Sequence, residues 1–198
     1  GIAGVGHVNG VLVEHNLVER IGQPNIERIW ESAGLKMHTT IDLLIRRNVF
    51  RDIIDGAGIW LDYLNENSRI TENVFHDIVA LHPAIYIEVS HDWNMVDHNV
   101  VWNVKKPTLE YCHANGYGTG IGADTGEKCI IANNFVGEIG NSFAIACDLV
   151  QAPRIVNGRV GLCRDHKVLN NVIYNAAKRV LISRKENNEC DGNLYSCR

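Results

Sequence analysis

Long apolar runs, a basic excess and closely paired cysteines are all missing from this sequence, and each absence excludes a class of protein. No uncharged apolar run reaches the roughly 18 residues that a membrane-spanning helix needs, and no signal peptide is visible. Lys plus Arg number 19 against 23 Asp plus Glu, for a formal net charge of −4, whereas nucleic-acid binders usually carry a basic excess. We therefore expect neither a membrane nor a nucleic acid as a partner.

The six cysteines are irregularly spaced and include no Cys-x-x-Cys pair, so the ligand spacing of a zinc site is missing. Cys129 and Cys147 lie inside apolar runs, where cysteine packs as a small buried hydrophobe. We expect no metal and no other cofactor. The compartment stays open, with an extracellular or periplasmic location favoured over a cytoplasmic one.

One short pattern recurs along the chain: two polar residues, an Asn and two apolar residues. Its Asn residues are Asn16, Asn48, Asn73, Asn99, Asn134, Asn171 and, in a shorter version, Asn193. Brief runs of Ile, Val and Leu, broken by Gly, Asn and Asp, separate them and indicate short strands and turns. A sustained 3.6-residue stripe and the leucine-rich consensus of another solenoid are both missing.

This repeat predicts an all-β, right-handed parallel β-helix of about seven coils, a single-chain solenoid that forms one domain over residues 1–198. Successive coils would stack about 4.8 Å apart. The recurring Asn is expected to adopt a left-handed turn conformation and to form a ladder, with the apolar residues after it pointing inward. Neither terminus offers a polar cap, so we expect a fragment of a longer β-helix, or an end covered by a missing domain or a second copy.

Because the coils stack, spacing along the sequence predicts which residues are neighbours in space. Asp62 and Glu88 each lie 11 residues before the next ladder Asn, so they should occupy the same position on neighbouring coils. Because side chains alternate along a strand, Trp60 with Asp62 and Tyr86 with Glu88 should point outward. The two carboxylates are therefore expected about 5 Å apart on one exposed sheet.

The same spacing predicts two outward columns along this sheet. The first is His38, Asp62, Glu88, Asp124 and Asp148, and the second is Lys36, Trp60, Tyr86, Gly122 and Ala146. Longer insertions at roughly 17–37, 105–118 and 149–166 are expected to wall the sheet into a cleft. Spacing alone leaves open whether this acidic column is functional or a solvated face.

Two carboxyl groups about 5 to 5.5 Å apart match the separation that retaining glycosidases use. Repulsion between them should raise the proton affinity of one, as an acid catalyst requires. Trp60 and Tyr86 would offer apolar faces to a sugar ring. Lys36, His38 and His91 could hydrogen-bond its hydroxyls, and Asp124 extends the column as a further binding position.

Three motifs, AGLKMH (33–38), GIWLDY (58–63) and EVSHD (88–92), resemble those of the β-helical retaining β-xylosidase family of glycoside hydrolases. That family's versions read approximately AGIKxH, G-[IL]-W-L-D-W and EVNHG, and the resemblance covers residues 30–102. It implies a nucleophilic role for Asp62 and an acid/base role for Glu88. It also implies substrate-binding positions at Glu31, Lys36, His38 and His91.

The sequence departs from these motifs at Tyr63, Ser90 and Asp92, and family members are longer, with a second β domain. We expect a retaining, exo-acting glycoside hydrolase with a carbohydrate substrate, most simply a β-xyloside. Two alternatives stay open: a Ca²⁺-dependent polysaccharide lyase that uses the acidic column, and a non-catalytic glycan-binding β-helix.

Overall fold

The computed structural model describes residues 1–24, 31–107, 116–147, 154–183 and 186–196. Within these residues the chain forms 23 β-strands and no α-helix. None of the described segments therefore has the length and apolarity of a membrane-spanning helix.

Three parallel sheets form the walls of a β-helix. One wall, the site sheet, contains β1 (Ile2–Gly4), β5 (Ala33–Met37), β9 (Ala57–Leu61), β12 (Ile85–Glu88) and β15 (Ile121–Asp124). The second sheet contains β4 (Leu17–Ile21), β8 (Val49–Ile54), β11 (Val74–Val79), β14 (Val100–Lys105) and β23 (Leu194–Tyr195). Two long strands, β17 (Phe135–Cys147) and β21 (Val172–Ile182), run through both walls.

The third sheet contains β3 (Leu12–Glu14), β7 (Leu44–Arg46), β10 (Ser68–Thr71), β13 (Asn94–Asp97), β16 (Cys129–Ala132), β20 (Lys167–Leu169) and β22 (Glu189–Asp191). A short parallel pair joins β2 (Val8–Asn9) to β6 (Thr40–Ile41). The strands β18 (Arg154–Val156) and β19 (Arg159–Gly161) form an antiparallel hairpin. The predicted parallel β-helix is confirmed.

The Asn ladder sets the register of the coils. Each Asn side chain donates through Nδ2 to Oδ1 of the next Asn at 2.9–3.0 Å, across sequence separations of 32, 25, 26, 35, 37 and 22 residues. The same Oδ1 atom also accepts the backbone N–H of the Asn before it, as for Asn48 and Asn73. The ladder therefore satisfies buried backbone donors at a corner of every coil.

Two details of the repeat differ from the prediction. The residue before each Asn adopts the left-handed conformation, as Arg47 (φ 54°) and Glu72 (φ 55°) do, because the Asn itself must aim its amide along the ladder. Only the second apolar residue after the Asn points inward: Phe50 is buried, whereas the residue before it, Val49, faces outward, since side chains alternate along the strand.

The core lies between the three sheets. The rings of Phe50 and Phe75 stack inside it, with centroids 4.9 Å apart and planes 5° apart. Opposite them the site sheet carries glycine: a Cβ on Gly58 would lie 2.8 Å from the Phe75 ring. Cys129 and Cys147 are buried in this core, as predicted.

Candidate functional site

The two outward columns exist in the predicted register. Lys36 pairs with Trp60, and Trp60 pairs with Tyr86 on the next coil. Tyr86 pairs with Gly122, which pairs with Ala146, while Glu88 pairs with Asp124. Asp148, the last member predicted for the acidic column, lies outside the described residues.

Asp62 follows β9 directly and keeps its register. Its N–H donates to the carbonyl oxygen of Met37 at 2.9 Å, and the N–H of Leu64 donates to Val89 at 2.9 Å. These bonds extend the ladder past the end of the strand, so Asp62 lies beside His38 on one side and Glu88 on the other. The two acids are thus one strand spacing apart, about 4.8 Å.

The expectation that these acids stand on an exposed sheet is wrong. Asp62 is only 8% exposed and Glu88 only 7%. Both point away from the coil core, but a second layer of side chains covers the sheet. Trp60 and Tyr86 anchor this layer as a separate apolar cluster with Ala57 and Ala146.

Asp62 is held by two basic side chains. Lys36 Nζ lies 3.1 Å from Asp62 Oδ2, and His38 Nε2 lies 3.3 Å from the same oxygen. The other oxygen, Oδ1, accepts the backbone N–H of Tyr63 at 2.8 Å. The two oxygens of Asp62 therefore have three partners, two from side chains and one from the backbone.

Two further contacts fix the basic groups. Lys36 Nζ also contacts Glu31 Oε2 at 2.8 Å, and the ring of Tyr63 packs edge-on against His38 with centroids 5.1 Å apart. Three of the predicted binding residues, Glu31, Lys36 and His38, are therefore gathered around Asp62. They also line an open pocket of about 330 Å³, together with Gly1, Ile2, Ala3, Val5 and Ala33.

Glu88 has a different environment, although it lies on the next coil. The indole Nε1 of Trp60 donates to Glu88 Oε2 at 3.0 Å, and the guanidinium of Arg154 contacts Oε1. Arg154 opens the β18–β19 hairpin, whose turn contains Asn157 and Gly158 with positive φ. The predicted wall at 149–166 thus contributes a basic group to the site.

Trp60 and Tyr86 do not offer open faces to a sugar, contrary to the prediction. Both are buried, and the Trp60 ring already contacts Lys36 Nζ, 3.5 Å from its centroid. The His82 ring lies against both aromatic rings, 4.4 Å from Trp60 and 5.4 Å from Tyr86. These residues instead hydrogen-bond the acids, because their polar ends reach the column while their rings pack beneath the covering layer.

Asp124, predicted as a further binding position, is covered in a similar way. Asp124 is fully buried and accepts a hydrogen bond from Tyr86 Oη at 3.1 Å. Burial and the neighbouring Asp124 carboxylate raise the pKa of Tyr86 well above its ordinary value, so the phenol stays a donor. Asp124 therefore supports Tyr86 from the next coil, and its role in substrate binding stays a prediction.

His91 also lies away from the acid pair. It follows Glu88 around a corner of the coil, is 5% exposed, and faces Glu127, with His91 Nδ1 3.9 Å from Glu127 Oε1. Burial and then the nearby Arg159 lower the pKa of His91. The predicted contact of His91 with substrate hydroxyls is therefore not supported by its position.

Sequence reasoning missed His82, which packs on Trp60 and Tyr86, and Arg154, which contacts Glu88. His82 lies in a loop, where the coil repeat assigns no position. The Asn157-Gly158 turn, which favours a hairpin, was the available signal for Arg154. Among the described residues, no group of three His, Cys, Asp or Glu side chains could hold a metal ion.

Comparison with known proteins agrees with this architecture. A family model described as a right-handed β-helix region matches residues 1–136. The chain belongs to this right-handed β-helix family. No curated protein and no solved structure gives a significant match. Because glycoside hydrolases, lyases and non-catalytic proteins share the right-handed β-helix, the family establishes the handedness of the coil and not a reaction, and it adds no support for a β-xylosidase in particular.

Proposed function

We propose that this right-handed β-helix protein is a retaining glycoside hydrolase, with Asp62 as the nucleophile and Glu88 as the acid/base, acting on β-xylosides. The observation that carries the proposal is the placement of two carboxylates on neighbouring coils in different environments. Asp62 has Lys36 and His38 as partners, whereas Glu88 has Trp60 and Arg154. Retaining glycosidases need such a close pair with divided roles.

In the first step, an oxygen of Asp62 would attack the anomeric carbon while the bond to the leaving oxygen breaks. Glu88 would give its proton to that oxygen, which leaves as an alcohol. In the second step, Glu88 would take a proton from water as the water oxygen attacks the same carbon and Asp62 is released. Lys36 and His38 support this assignment because their contacts with Oδ2 hold the Asp62 carboxylate in a fixed position, as a nucleophile requires.

Glu88 must carry a proton before the first step, and its contact with Arg154 opposes this. Arg154 is 43% exposed at the side chain and comes from an inserted hairpin, whereas Trp60 is buried. Arg154 is therefore the partner that can move when substrate binds. The open pocket beside Glu31, Lys36 and His38 is the place for the glycone, since it presents polar groups next to Asp62.

The test measures hydrolysis of aryl β-xylosides with good and poor leaving groups, and NMR identifies the first anomer formed. We expect the β-anomer first and a loss of about 100-fold or more in Asp62→Asn. Glu88→Gln should lose more on the poor leaving group, which needs the acid. Glu72→Gln, on an exposed corner of another wall, should match the parent.

An inverted first product, or unchanged rates in both acid variants, would contradict the mechanism. The lyase alternative gains one observation, an arginine beside the acids, because such enzymes use a basic residue next to the bound sugar. Loss of activity with a chelator and an unsaturated, ultraviolet-absorbing product would identify it. Glycan binding that survives both acid substitutions, without turnover in the parent, would identify a binding protein.

A further inference from the structure

His82 is the one described side chain whose ring contacts both aromatic residues that hold the acids. Its imidazole centroid lies 4.4 Å from the Trp60 ring and 5.4 Å from the Tyr86 ring, and it is within 6° of parallel to Tyr86. Trp60 in turn donates to Glu88, and Tyr86 donates to Asp124. One ring therefore packs on both of the aromatic residues that donate hydrogen bonds to the acidic column.

The loop that carries His82 is fixed at both sides. It runs between β11 and β12, and Leu81 is buried against Tyr117. Ala84 is also buried, and its carbonyl oxygen accepts the N–H of Ile59 at 3.0 Å. Buried neighbours on each side leave the imidazole little freedom to move away from Trp60.

The position of the Trp60 indole determines the geometry of the hydrogen bond from Trp60 Nε1 to Glu88. Lys36 Nζ lies 3.5 Å from the centroid of the indole, which is a cation–π contact. His82 packs against the same indole, so the ring is held by a cation and by an uncharged ring. A shift of about 1 Å in a group that orients a catalytic residue can cost about 100-fold in rate.

We propose that His82 is a positioning residue, which holds the Trp60 indole in place so that its Nε1–H fixes the carboxyl group of Glu88 for catalysis. The proposal rests on the proposed glycosidase function for its effect on rate. Its structural part, the dependence of the Trp60–Glu88 hydrogen bond on His82, can be measured without any substrate.

The protonation of His82 can be followed by experiment, and a residue that only filled space would show no such pH dependence. Burial, and then the nearby Lys36, lower the pKa of His82 to about 4, while Asp62 acts in the opposite direction. The other titratable group packed against it is Tyr86, a neutral phenol. His82 is therefore uncharged above about pH 5. Protonation below that would add a second cation close to Lys36, and the repulsion between the two cations would shift the imidazole on the Trp60 ring.

The experiment compares His82→Ala, His82→Phe and the control His76→Phe with the parent. His76 is a suitable control because it lies on the second sheet, paired with Asp77. The chain has four tryptophans, so a ¹⁵N-labelled sample gives few indole N–H signals, and Trp60→Phe assigns the relevant one. The same variants are assayed for kcat and KM on an aryl β-xyloside between pH 4 and 8.

We expect His82→Ala to shift or broaden the Trp60 indole signal and to lower kcat about 10-fold or more, with KM changed less than about threefold. His82→Phe keeps a flat ring, so it should retain the signal position and most of kcat. It should also remove the change in the Trp60 signal that the parent shows on acidification through about pH 4. His76→Phe should behave as the parent.

An unchanged Trp60 signal in a folded His82→Ala protein would overturn the proposal, and so would an acid-induced change that is as large in His82→Phe as in the parent. If the parent cleaves no glycoside while the indole shifts follow the expected pattern, the glycosidase function fails and the His82–Trp60–Glu88 coupling stands. If the parent is active and His82→Ala keeps its full kcat, the positioning role fails alone.

Discussion

Asn73 provides a direct test of how the coils are held together, because its side chain lies in the middle of the ladder. Its Oδ1 accepts two hydrogen bonds, from the backbone N–H and the Nδ2 of Asn48. Its Nδ2 donates to Asn99 Oδ1 and to the carbonyl oxygens of Ile45 and Thr71. All five distances lie between 2.9 and 3.0 Å, and Asn73 is 1% exposed.

Asn73→Ala removes all five bonds at once. The Asn73 amide has only two N–H groups for its three acceptors, so the loss amounts to about four full bonds. At about 1 kcal/mol net for each bond this is about 4 kcal/mol, and relaxation of neighbours reduces it to about 3 to 4 kcal/mol. The backbone N–H of Asn48 loses its acceptor inside the protein, which keeps the cost near the upper end. Since coils in a repeat protein stabilise their neighbours, we also expect the unfolding transition to broaden.

Urea unfolding followed by circular dichroism measures this loss, and Asn16→Ala is the matched control. Asn16 is the first member of the ladder, is exposed, and donates only two side-chain bonds. We expect its replacement to cost about 1 kcal/mol or less. Equal costs at the two positions would refute the reasoning, because the ladder would then contribute nothing that depends on burial.

Two further predictions concern packing and pH. Gly58→Ala should lower the free energy of unfolding by about 1 to 3 kcal/mol, since its Cβ would lie 2.8 Å from the Phe75 ring. Thermal unfolding measures this loss, and Gly140→Ala is the control because a Cβ there would meet nothing within 4 Å. Burial lowers the pKa of His166 to about 4 from 6.5. The unfolded chain therefore binds the proton first, and stability present above pH 6.5 falls by about 2 kcal/mol by pH 5. Urea unfolding at pH 7 and pH 5 measures this fall, and His166→Asn should reduce it because the titrating group is gone. Asn is the chosen replacement since Asn188 occupies the same position on the next coil. An equal fall in the variant would contradict the role of His166.

The register of the coils could be predicted from sequence because it depends on a repeated residue with one physical task. Asn48 and Asn73 each satisfy a backbone donor in the coil before them, so their spacing equals the length of a coil whatever the loops contain. Counting from the ladder therefore placed Asp62 beside Glu88 before any coordinates. The alternation of side chains along a strand then assigned the outward face correctly.

The burial of the site could not be predicted in the same way. Alternation says that Trp60 and Asp62 point away from the core, but it does not say what lies above them. His82, which packs on the aromatic rings, and Arg154, which contacts Glu88, come from a loop and an inserted hairpin outside the repeat. The sequence pattern therefore predicted the positions of Trp60, Tyr86 and Asp124 and misassigned their contacts, which depend on that second layer.

The repeat and the insertions have different effects on the site, which explains how a solenoid can give two adjacent acids different surroundings. Backbone hydrogen bonds hold neighbouring strands about 4.8 Å apart, so the spacing of the acids does not depend on the length of the insertions between them. Identical positions on a regular sheet would give identical surroundings, and two like carboxylates would then only repel each other. The insertions break that equivalence. Glu31 reaches Lys36 beside Asp62, and Arg154 reaches Glu88. The repeat thus sets the distance between the two acids, and the insertions set their different surroundings. Substitutions at Arg154 should therefore alter activity while leaving the fold intact.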